Sequence, residues 1–296
     1  MIRYARAPGD DLLRALKGPL ASLLLPRSVA GLALDPQLRE GNCLMLYCGL
    51  TRVLCATLRK EVVTLTAHKT YRDQPCAAGV LRKWQLGASG FDEAVNDYLA
   101  QVVVGASHVR REGAVQADWA AIGEPWIYID REAVIGGGLS PSTAVEQATE
   151  AVRAIGWAGV SEPKRANKLD QLAVDPEGRL VLVELKDGGA KDVFYAPLQA
   201  LRYAWEWSGA VRELLPELEA LIRAKQDVGL LPRDLPALTG ELRVAVAWGA
   251  RQPSREVERR LGMVRGTVKP FLPAGIPDIE IWVARGEPLA ATQLHL

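Results

Sequence analysis

LDQLAVDPEGRLVLVELK, residues 169–186, decides how the second half of the chain folds. Its two ends are apolar runs of strand length, and Asp175-Pro176-Glu177-Gly178 between them is turn chemistry. Pro suits the second position of a type I turn, and Gly the left-handed residue that closes a three-residue hairpin loop. With Pro176, Glu177 and Gly178 as the loop, Asp175 pairs with Arg179. Counting back along both strands then sets Asp170 directly opposite Glu184. Opposed residues share a face, with Cβ atoms about 4.5–5.5 Å apart. A two-residue loop would instead set Asp170 opposite Val183 and turn it to the other face.

Positions two apart on a strand point the same way, so Lys186 projects beside Glu184 while Val181, Val183 and Leu185 project oppositely. Acids in direct opposition repel, and burying charged groups is costly unless they are paired, hydrogen-bonded or metal-bound. Lys186 alone can hold the two acids as a structural ion pair. A hard divalent cation such as Mg²⁺, which takes oxygen ligands, holds them better.

Helical spacing continues the constellation. Over residues 194–205, Phe194, Leu198, Leu201 and Trp205 form an apolar row, and Tyr195, Gln199 and Tyr203 an adjacent polar-tipped one. Gln199 and Tyr203 can therefore reach one location. Upstream, SPSTAVEQATEAVRAIG reads as a helix with a serine cap, Val145, Ala148, Val152 and Ile155 on one stripe, and Glu146 and Glu150 on another.

At these residues the chain resembles the PD-(D/E)XK nuclease superfamily, in particular RecB-type members with a QxxxY element. The matching pattern is Asp170, Glu184-Leu185-Lys186 and Gln199-Ala200-Leu201-Arg202-Tyr203, preceded by an acid-bearing helix. It spans about residues 140–210 and leaves residues 1–135 uncovered; Leu169 stands where the family name has Pro. The resemblance implies Asp170 and Glu184 as ligands of Mg²⁺ or Mn²⁺, with the Leu185 carbonyl beside them. It implies Glu146 as a further ligand, with Glu150 as the alternative. Lys186 would orient or deprotonate the attacking water, and Gln199 and Tyr203 would position the strand or the site. Phosphodiester hydrolysis needs a nucleophilic water and relief of charge on the phosphate, which a metal and a neighbouring lysine supply. Lys164, Arg165, Lys168, Lys191 and Arg202 are candidates for backbone phosphate contacts, or form a solvated basic surface.

The rest of the pattern extends an α/β architecture. Helices over VRELLPELEALIRAK, kinked or broken at Pro216, and SREVERRLGMVRGTVKPFL alternate with strands LRVAVAWG and IEIWVAR. The expectation is a C-terminal restriction-endonuclease-like mixed sheet flanked by helices on both faces, over residues 139–296. Gly136-Gly137-Gly138 marks the boundary to a separate mixed α+β domain over residues 1–135. In that domain DDLLRALKGPLASLLL reads as a helix interrupted at Gly18-Pro19. NCLMLYCG, RVLCATL and EVVTLTAH read as strands, FDEAVNDYLAQVVV as a helix and PWIYID as a strand.

Composition narrows the function. Of 296 residues 49% are apolar and 24% charged, ordinary for a globular protein of about two domains, and the net charge of +1 excludes a strongly basic nucleic-acid coat but not a local basic cleft. PLASLLLPRSVAGLAL, broken by Pro26 and Arg27, is too short to span a bilayer and lacks secretory flanks, so a cytoplasmic protein without membrane contact is expected. Cys43, Cys48, Cys55 and Cys76 form no CxxC pair. They read as small apolar residues in a reducing compartment, or else as a metal or iron–sulfur site. His68, His108 and His295 have no partner motif and read as structural or surface residues. Trp119, Trp126 and Tyr128 suit core packing better than base stacking.

The leading expectation is a Mg²⁺- or Mn²⁺-dependent deoxyribonuclease, endo or exo, of the kind that recurs in repair, restriction and phage defence. DNA is favoured over RNA, and the N-terminal domain would choose substrate or protein partner. The rival is a catalytically inactive module of the same fold that binds nucleic acid or a protein. The full Asp, Glu, Lys, Gln and Tyr set favours the enzyme.

Overall fold

The structure, a computed structural model, describes residues 3–105, 112–135, 142–155, 168–189, 192–249, 253–285 and 289–295. The chain forms two compact units: residues 5–117 with 216–233, and residues 1–4, 118–215 and 234–296.

The first unit is built on a six-stranded antiparallel sheet in chain order: β1 (Ser28–Val29), β2 (Leu32–Arg39), β3 (Cys43–Cys48), β4 (Thr51–Arg59), β5 (Val62–Thr66) and β6 (Lys83–Gln85). The three expected strands are β3, β4 and β5, whose short connections permit only hairpins. Alternation sends Leu44, Leu46, Leu54, Ala56, Leu58, Val63 and Leu65 to one buried face. The opposite face carries Gln37, Arg39, Cys43, Met45, Arg52, Cys55 and Thr57. The helix Phe91–Gln101 buries Phe91, Val95, Tyr98 and Leu99, and Tyr98 donates to the Val53 carbonyl at 2.8 Å. The interruption at Gly18-Pro19 is real: a helix over Asp10–Leu16 stops there, and a 3₁₀ turn follows over Ala21–Leu24. Pro216, by contrast, neither ends nor shortens its helix, which runs Val211–Asp227. From its later part Lys225 donates to Gln37 at 2.8 Å, both buried.

The second unit holds a mixed six-stranded sheet: β7 (Ile127–Ala133), β8 (Leu169–Val174), β9 (Leu180–Lys186), β10 (Leu242–Trp248), β11 (Ile279–Arg285) and β12 (Ala290–Leu294), again adjacent in chain order. β7, β8 and β9 are antiparallel, β9, β10 and β11 parallel, and β12 antiparallel at the edge. Parallel neighbours need crossovers, which the helices Ala196–Ser208 and Arg255–Val268 provide. Ala196–Ser208 packs on β9 and β10, with Thr143–Ile155 and Arg255–Val268 against it. On the other face Trp282 meets Trp126 edge-on at 5.3 Å, and Trp126 stacks on Trp119 at 5.4 Å. Core packing is thus the role of both early tryptophans.

The unit boundaries differ from those expected. β7, the PWIYID strand, is an edge of the second sheet rather than part of an N-terminal domain over 1–135. Residues 216–233 join the first unit. The Gly136-Gly137-Gly138 boundary lies outside the described residues. Among the described residues no helix is long and apolar enough to cross a membrane.

Candidate functional site

The hairpin between β8 and β9 has the expected geometry. Asp175 N–H donates to the Arg179 carbonyl at 3.1 Å, Gly178 N–H to the Asp175 carbonyl at 3.0 Å, and Gly178 has φ +81°. The Asp175 carboxylate also accepts from the Glu177 and Arg179 amides at 3.1 and 2.9 Å, and from the Arg179 and Arg243 guanidiniums at 2.7 and 2.8 Å. A Cβ on Gly178 would come within 2.1 Å of the Ala237 carbonyl oxygen. Only glycine fits there, by conformation and by space.

Register follows from the turn. Val174 pairs with Leu180, Leu172 with Leu182 and Gln171 with Val183. One more step sets Asp170 opposite Glu184. The last rung is made by a side chain, because Asp170 Oδ2 accepts the Leu185 N–H at 2.8 Å. A strand residue's N–H and C=O face the same neighbour, so the Leu185 carbonyl also faces the β8 side.

Glu184 is 2% exposed and Lys186 Nζ lies 2.5 Å from Glu184 Oε1. The surroundings hold the Asp170 carboxyl well above the usual carboxylate range. Burial is the main cause and the Glu184 charge the second, with Lys186 and the Leu185 amide pulling the other way. Two acids and one ammonium therefore stand together, with burial first and the Glu184 charge second disfavouring the ionised form of Asp170.

The helix Ala196–Ser208 brings Tyr203 to this pair. Its hydroxyl donates to the Lys168 carbonyl at 2.7 Å, and burial, then the Glu184 and Asp170 charges, push its ionisation up. Gln199, one turn earlier in the same row, is buried, and its amide oxygen has no hydrogen-bond partner among the described residues.

Other expected residues are not gathered here. Glu146 and Glu150 lie on the exposed side of the helix Thr143–Ile155, whose Val145, Ala148 and Val152 turn inward, and Glu150 pairs with Arg153 at 2.5 Å. Among the described residues no three His, Cys, Asp or Glu side chains converge on a metal position. Neither helix acid thus joins Asp170 and Glu184. Lys168 is exposed, with Nζ 3.7 Å from Glu132, and Arg202 is half-buried. Lys164, Arg165 and Lys191 lie outside the described residues.

Two further residues border the site. The β7–β8 register, with Arg131 opposite Gln171 and Ala133 opposite Leu169, sets Glu132 opposite Asp170. Glu132 has φ +48°, rare for a non-glycine residue. Trp248 pairs with Lys186 in register and shares its face; it is fully buried, and its indole N–H has no partner among the described residues. Neither carried a signal in the sequence. Glu132 depends on a non-local strand pairing, and Trp248 reads as ordinary core.

No family model matches the chain, and no curated protein or solved structure is detectably similar to it.

Proposed function

We propose that the chain is a Mg²⁺- or Mn²⁺-dependent nuclease of the PD-(D/E)XK type that hydrolyses phosphodiester bonds, in DNA before RNA. One observation carries the reading: Asp170, one residue beyond the Gln171–Val183 pair, accepts the Leu185 N–H at 2.8 Å next to Glu184, whose Oε1 lies 2.5 Å from the Lys186 ammonium. The donor set suits a hard cation, because two carboxylates and a backbone carbonyl are oxygen ligands and the Asp170 carboxyl, pushed up by burial and then by the Glu184 charge, would be relieved by a neighbouring positive charge. A bound divalent cation would supply an activated water and offset the charge on the scissile phosphate. The chain's own residues do the rest. Asp170 and Glu184, with the Leu185 carbonyl, would hold the cation, and its charge would favour the ionised form of Asp170. Lys186 swings from Glu184 to hold the water and face the phosphate. Tyr203, anchored on Lys168, and Gln199 fix the flank of the site.

The second reading is a non-catalytic module that binds nucleic acid or a protein. It is favoured by Lys186 being closed onto Glu184 and by the absence of a converging third acid among the described residues.

Incubation with plasmid, linear and single-stranded DNA and with RNA, in Mg²⁺ or Mn²⁺, separates the two. The nuclease reading expects cleavage by the wild type, reduced at least about 100-fold in Asp170→Asn and Lys186→Gln, the scale of losing a general acid–base group. Silence of the wild type on every substrate, or equal cleavage by the variants, would overturn it.

A further inference from the structure

The polar face of the first unit's sheet places two thiols together. Cys43 is opposite Thr57 and Met45 opposite Cys55, so Cys43 and Cys55 are diagonal neighbours on one face of β3 and β4. Both are buried, and their sulfurs are 2.8 Å apart. Cys48 and Cys76 are placed otherwise: their sulfurs lie against the Val29 carbonyl at 3.7 Å and Gln74 Oε1 at 3.9 Å.

We propose that Cys43 and Cys55 are a dithiol redox site, which a small peroxide oxidises to a disulfide joining β3 to β4. The surroundings divide the labour between the two sulfurs. The hydrogen bond with Cys43 pulls the Cys55 thiol down to about 6; burial opposes this, and Thr57, the Arg52 charge and Thr66 assist. Cys43, bonded to Cys55 and buried, is pushed up. With this division Cys55 is the attacking sulfur in the proposal, because the thiolate is the form that reacts. Its sulfur attacks one peroxide oxygen and the O–O bond breaks. The departing hydroxide takes up a proton, leaving water and a sulfenic acid on Cys55. Cys43 then attacks the Cys55 sulfur and loses its own proton, and the S–O bond breaks to release a second water. Two thiols and one peroxide thus give one disulfide and two waters. The proposal is independent of the nuclease reading.

The test is peptide mapping of the whole native protein after hydrogen peroxide treatment, alkylation of remaining thiols, and tryptic digestion without reductant. Cys43 and Cys55 fall in separate tryptic peptides, Glu40–Arg52 and Val53–Arg59. The proposal expects these peptides joined, two hydrogens lighter than their sum, and separated by dithiothreitol. The link persists in Cys48→Ser, which removes the other thiol of the first peptide, and disappears in Cys43→Ser. Wild-type protein whose Cys55 proceeds to sulfinic acid without a link, whose Cys43 and Cys55 stay alkylatable after peroxide, or whose link runs through Cys48 or Cys76 would overturn it.

Discussion

Asp170 accepts the Leu185 amide at 2.8 Å, so the β8–β9 ladder ends on a carboxylate instead of a backbone carbonyl. That bond fixes the acid beside Glu184 and leaves the Leu185 carbonyl on the same side. An amide bond to an ionised carboxylate lowers its proton affinity; here burial and the Glu184 charge outweigh it.

Removing the Asp170 charge should stabilise the protein. Its raised value means that the native state holds the proton more tightly than the unfolded chain does. Stability is therefore fully present at low pH and is lost as pH rises from the ordinary carboxylate range through the raised value. Asparagine keeps an acceptor for Leu185 and carries no charge. In chelator, Asp170→Asn should melt about 2–4 °C above wild type at pH 8, the shift expected for roughly 1 kcal/mol. The gap should close toward pH 4. Thermal melts across that range check both the sign and the trend.

Lys186→Ala should act in the opposite direction. It leaves Glu184, 2% exposed, without its ammonium partner at 2.5 Å. Removing one member of a buried ion pair costs about 3–5 kcal/mol. Urea unfolding at pH 7 should show this loss, and the double variant Lys186→Ala, Asp170→Asn should recover part of it. Additive losses would mean that the two residues do not interact.

Gly178→Ala should destabilise the hairpin that sets the register. The position has φ +81°, and the new Cβ would meet the Ala237 oxygen. A loss of at least about 1 kcal/mol is expected from conformation alone, before the clash. Because this turn keeps Asp170 opposite Glu184, the variant should lose activity out of proportion to its fraction unfolded. Melts and nuclease assays on the same preparation test the coupling.

The site's core was readable in the chain because local chemistry determines it. A Pro-Glu-Gly turn selects one register, and register alone opposes Asp170 to Glu184. The Gln199 and Tyr203 row is equally local, being one helical turn. What escaped depends on distant pairing. β7 joins the second sheet from across the residue 136–141 segment, and with it comes Glu132. β2 holds Asp35 and Pro36 at positions that argue against a strand, yet Leu34–Arg39 pair with β3 without interruption. Helix Glu112–Ala121 and edge strand β12 lacked the caps and periodicity that announce an element. Pro216 looked like a break because it removes a helical donor, but the surrounding Leu214, Leu218 and Leu221 are buried and hold the helix together.

Calorimetric titration of Mn²⁺ into the metal-free protein, repeated in buffers of different ionisation enthalpy, tests the shared-cation claim most directly. The account predicts saturable binding accompanied by proton release, because a bound cation would lower the raised Asp170 carboxyl. Affinity should rise with pH, and Asp170→Asn should abolish the proton release and most of the binding. Absence of saturable heat in the wild type, or the same isotherm from Asp170→Asn, would contradict it.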